Sequence, residues 1–175
     1  MTWANHGRWI TVLAVLGLVS AVLSHAFTLW VLSSADANWS QLDIAPLQMG
    51  ADAFAGSAIG KRYGAVAAIL MLLGSVLLWM AFIRLGLSVQ RAPGFGAHLD
   101  GAFRSIARAL QWFLVSRVLA AVVLLWARQQ LAPDMGVNIA EGMLVPWILA
   151  VCVAWLIASL LAEANRVDAE NRSFI

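Results

Sequence analysis

A chain of 175 residues that is 62% hydrophobic and only 11% charged cannot keep a water-facing surface, since a soluble domain carries about 25% charged residues. The mean hydropathy of +0.84 and nine tryptophans make lipid the expected solvent. The net charge of +2 is too small to direct direct binding to nucleic acid, and a single cysteine, Cys152, excludes an internal disulfide and a thiolate metal cage.

A membrane helix needs about 20 mostly apolar residues, because each adds ~1.5 Å across ~30 Å of hydrocarbon. Four segments meet this, residues 9–32, 64–87, 107–127 and 143–162, so residues 1–175 are expected to form one transmembrane domain. The fold class is all-α, an antiparallel four-helix transmembrane bundle. Trp9 and Trp30 bracket the first span about 32 Å apart, which suits rings anchored at both headgroup layers. Ala35 and Ala37 follow it as a signal-like cleavage pattern, but the apolar core exceeds the roughly 7 to 15 residues of a signal sequence. An uncleaved anchor is expected. Gly17, Ala21, Ser24 and Thr28 form a small-residue stripe on this span, with Ser20 and His25 beside them.

The outer loop, residues 33–63, contains Ile44, Leu47, Met49, Phe54 and Ile59, too apolar for a free linker, and a short helix or two on the outer surface is predicted. The second span opens with Gly60, Gly64 and Ala68. "RAPGFGAHLDG" reads as a turn, with Asp100 as N-cap of the third helix. "APDMG" turns the chain again, and Asn138 with Glu141 resembles a capping box. Pro146 either kinks the fourth helix or sits in its first turn. Ala150, Ala154, Ala158 and Ala162 form a packing seam down one face. Such stripes serve contacts within one monomer or between copies in a homo-oligomer.

Orientation follows from the basic residues in the short loops. Arg8, Arg84, Arg91, Arg104, Arg108, Arg166 and Arg172 fall on one side and Lys61, Arg62 and Arg128 on the other. Both termini are therefore expected in the cytoplasm, with residues 163–175 a cytoplasmic helix extension. Glu163 with Arg166, and Arg166 with Glu170, have the spacing of helix ion pairs. Arg104, Arg108, Glu163, Arg166 and Glu170 are the candidate partner-binding surface.

Arg117 lies inside the third span, "LQWFLVSRVLAAVVLLWARQ", where a charge costs about 2.5 to 3.5 kcal/mol on insertion scales. No acidic residue lies in the core of a span, so its expected partners are helix carbonyls, tryptophan faces, Ser20, Ser24, His25 and Thr28 of the first span, or a guest anion or lipid. An edge carboxylate, Glu141 or Glu163, could also reach inward. The structural reading is an arginine solvated by these groups; the functional reading is an anion or lipid site. His6 and His98 are expected outside the membrane, so no histidine pair is placed to ligate a haem, and no cofactor, metal or catalytic set is expected.

The ending, with Glu163, Asp168, Glu170, Asn171, Phe174 and Ile175, and the connection "GFGAHLDGAFRSIARAL", with Phe95, Arg104, Ile106 and Arg108, resemble a bacterial four-span family catalogued as domain of unknown function 2975. The resemblance covers the C-terminal half, and Arg117 is outside its pattern. It implies a multi-pass protein of the bacterial inner membrane without assigned catalysis. It also implies a cytoplasmic protein partner, since members are often encoded beside a small helix-turn-helix regulator. The expected role is a non-enzymatic sensing, regulatory or anchoring module in contact with membrane lipids. The alternative is a small transporter or channel subunit with its site at Arg117.

Overall fold

The computed structural model describes residues 3–33, 42–44, 47–49, 58–91, 97–131, 137–139 and 144–173. Among the described residues four helices carry the fold: α1 (Trp3–Ser33), α2 (Ala58–Arg91), α3 (Ala97–Leu131) and α4 (Leu144–Ser173). All four are long and apolar enough to cross a membrane, over Asn5–Ser33, Lys61–Arg91, Leu99–Ala127 and Val145–Asn171. The first three helices run past both ends of the spans expected of them, and α4 continues past residue 162 as the expected extension does, because hydrophobicity sets where lipid begins but not where helical hydrogen bonding stops.

The ends follow local chemistry. α2 closes on Arg91, a cation in the last turn, two residues before Pro93, which cannot continue a helix. Asp100 lies in the first turn of α3 rather than at its cap, where it favours the positive helix end and bonds Arg104 at 2.9 Å. Pro146 takes the first-turn position in α4, where no backbone donor is lost. Asn138 is not the expected cap of α4, because residues Val137–Ile139 form a strand. The turns at 92–96 and 132–136, and Glu141, Phe95, Phe174 and Ile175, lie outside the described residues.

The described residues of the loop expected to carry a short helix or two form strands, and its residues 34–41, 45–46 and 50–57 lie outside the described residues. β1 (Leu42–Ile44) and β2 (Leu47–Met49) pair antiparallel across a two-residue connection, and β2 pairs with β3 (Val137–Ile139). Each strand reads apolar, polar, apolar, a period-two pattern too short to stand out against the helical periodicity around it. The register aligns Asp43, Gln48 and Asn138 in one row. β3 also touches α3, so the sheet ties both loops of this side to the helical body.

The helices pack in chain order: α1 on α2, α2 on α3 and α3 on α4, with no other helix pair in substantial contact among the described residues. Glycines set the closest approaches. A Cβ on Gly7 would lie 2.8 Å from the Gly86 carbonyl, and one on Gly17 would lie 2.5 Å from the Trp79 ring. Gly74 abuts Ser116 and Phe113. Ala67, Ala68, Ala107, Ala120 and Ala127 are fully buried, as expected where lipid offers no hydrophobic drive and close backbone packing must hold the spans. The α4 seam behaves as its pattern predicts, with Ala154 and Ala158 buried. Many larger apolar side chains face outward, Leu13 at 61% exposure and Leu160 at 62%, while Leu124 is fully buried.

Candidate functional site

Arg117 sits on the α2 side of α3. Its Nη1 donates to the Met71 sulfur at 3.2 Å, and its guanidinium lies 4.8 Å from the centroid of the Phe113 ring one turn earlier on its own helix. Phe113 in turn packs against Trp147 of α4 at 4.6 Å. Met71 is fully buried and its carbonyl accepts from Ser75 at 2.9 Å. A polarizable sulfur and a π face thus stand where the sequence suggested hydroxyls of α1.

The expected constellation of Arg117, Ser20, Ser24, His25 and Thr28 is not assembled as one site. α1 and α3 pack on α2 and not on each other. The α1 groups serve their own helix instead: His25 Nδ1 meets the Ala21 carbonyl at 2.7 Å and Thr28 donates to the Ser24 carbonyl at 3.0 Å. Ser20 and Ser24 are exposed. Short hydroxyl and imidazole side chains readily bond the carbonyl one turn back, and this local partner wins over a distant helix.

The candidate partner surface fares differently. Arg104 and Arg108 of α3 and Glu163 and Arg166 of α4 line one cleft of about 400 Å³, with Trp155 and Ser159 also in its wall. Arg166 bonds Glu163 at 2.6 Å and lies 3.8 Å from Glu170, so four of the five residues meet in the cleft and the fifth is tied to it. Arg108 has no ion pair among the described residues, and the Trp155 indole nitrogen is buried without an acceptor. The α4 helix continues beyond this cleft with exposed residues at Val167, Asp168 and Glu170. The arrangement offers both signs of charge and several hydrogen-bond donors in one concavity.

A second cleft, on the α2 side of α3, was not legible in the sequence because Arg84 and Arg91 come from one helix and Gly101 and Ser105 from another. Among the described residues no group of three or more His, Cys, Asp or Glu could hold a metal ion. Comparison with known protein families, curated proteins and solved structures finds no match to this chain.

Proposed function

We propose that this multi-pass membrane protein is a non-enzymatic module of the bacterial inner membrane, sensing or anchoring through a cytoplasmic protein partner. In this reading the helices form an antiparallel bundle with both termini in the cytoplasm. The contact pairs support it: Gly7 meets Gly86 while Gly17 meets Trp79, and Tyr63 meets Trp126 while Gly74 meets Phe113. Positions that rise along one helix fall along the next.

The observation that carries the reading is the convergence of Arg104, Arg108, Glu163 and Arg166 on one cleft at the end of the molecule rich in arginine. A partner with an acidic residue flanked by hydrogen-bond donors would match its unpaired Arg108 and its Glu163. By analogy with the family that the ending resembles, a small helix-turn-helix regulator is the partner to test. Affinity purification in mild detergent should recover a stoichiometric partner with the native chain and lose it with Arg108→Glu/Arg166→Glu. Recovery of the lone chain at every detergent strength would refute the reading.

A further inference from the structure

The arginine-rich end of the molecule holds a cleft of about 360 Å³ between α2 and α3, separate from the partner surface. Its α2 wall carries Arg84, Leu87, Ser88 and Arg91, and its α3 wall carries Gly101 and Ser105. Positions 84, 88 and 91 recur at helical spacing, so one face of α2 presents both guanidinium groups to the same concavity. Among the described residues no acidic side chain lines the cleft. The adjacent acid on α3, Asp100, is engaged by Arg104 at 2.9 Å. Arg84 and Arg91 make no ion pair among the described residues, and two cations sharing a concavity call for an anion.

Shape and depth narrow the anion. A Cβ built on Gly101 meets nothing within 4 Å, so the α3 wall leaves room for a bulky group. The pairing of Gly7 with Gly86 and Gln90 brings Trp9, an exposed interfacial residue, to the level of this cleft. Leu87, 38% exposed, adds apolar surface beside the arginines. We infer that the α2/α3 cleft binds a phosphate-bearing anion, the headgroup of an anionic phospholipid, with Arg84 and Arg91 pairing its oxygens and Ser105 donating a hydrogen bond. This site rests on the membrane placement of the four helices; it holds for either leaflet and does not depend on the protein partner.

Purified protein in dodecyl maltoside is titrated with dioleoyl phosphatidylglycerol or dioleoyl phosphatidylcholine, and bound lipid is counted by native mass spectrometry. The anionic lipid is expected to bind at lower concentration. Arg84→Gln/Arg91→Gln should raise its half-occupancy concentration about tenfold or more. Arg108→Gln/Arg166→Gln, the same charge change at the α3/α4 cleft, should leave it unchanged. Gly101→Leu, which fills the open wall and suits a helix, should weaken lipid binding with helicity retained. Equal binding by the native chain and the Arg84/Arg91 variant, or equal loss in both double variants, overturns the inference. Inorganic phosphate replaces lipid in a further arm: phosphate adducts lost in the Arg84/Arg91 variant assign the free ion to the same site, and their absence beside retained lipid assigns the headgroup. A chain that stays monodisperse without detergent removes the premise before any lipid is added.

Discussion

Gln90 of α2 donates from Nε2 to the Thr11 hydroxyl of α1 at 2.8 Å, and that hydroxyl donates onward to the Gly7 carbonyl at 2.9 Å. The relay crosses the helix pair where both backbones come closest, because Gly7 and Gly86 carry no side chains. Gln90→Leu should lower stability by about 0.6 kcal/mol and at most about 1.7, the range for hydrogen bonds between membrane helices. Gly86→Ala should cost more. Its Cβ would lie 2.8 Å from the Thr11 nitrogen and 3.0 Å from the Gly7 carbonyl, backbone atoms that cannot rotate away. Thermal unfolding of both variants in the same detergent gives the ranking.

Gly101 is the counter-case. With nothing near its missing Cβ, it packs against no neighbour in the fold, and Gly101→Ala should stabilise the helix by about 0.8 to 1.0 kcal/mol. A fall in the unfolding temperature of this variant would show that a close neighbour has been overlooked.

Arg117 meets the Met71 sulfur and the Phe113 ring and carries its charge into the middle of α3. Arg117→Leu should therefore ease insertion of α3 by about 3 to 4 kcal/mol and leave the fold intact. Insertion of the isolated α3 segment into microsomes, read by glycosylation, measures the first expectation. Met71→Leu keeps the volume and removes the sulfur acceptor, and should cost less than about 1.5 kcal/mol.

Cys152 is exposed on α4 between the level where Phe113 meets Trp147 and the cleft lined by Ala158. Hydrocarbon at that depth keeps charged, water-soluble reagents away from the thiol. In intact membranes a sulfonated maleimide should leave it unlabelled, and denaturing detergent should make it reactive.

Reporter fusions test the orientation in the proposed reading. Fluorescent protein fused to either terminus should fold and glow in the cytoplasm, whereas alkaline phosphatase fused at either terminus should be inactive. An active phosphatase at one end would reverse the assignment of that end.

The sequence made the four spans legible because about 20 consecutive apolar residues have few alternatives in a chain this poor in charge. It also exposed the α4 alanine seam, whose regular four-residue spacing leaves Ala154 and Ala158 buried. Gly7 escaped notice because it precedes the hydrophobic stretch, and the strands did because three residues of alternation are no signal against long helices. Arg104, Arg108, Glu163 and Arg166 were readable as one surface through helical spacing and charge. The partners of Arg117 were not, since helix order in space is a property of packing. Thr11 and Gln90, 79 residues apart, meet only once α1 and α2 have chosen each other.

The succession of helix contacts, each with its neighbour in the chain, bears on how the protein is made. As a ribosome delivers the spans one after another, α2 finds its partner already in the bilayer, and α3 and α4 find theirs in turn. No early span must wait, half-packed, for the last to arrive. Assembly can keep pace with synthesis, and a chain halted after α2 already holds the complete Thr11–Gln90 crossing.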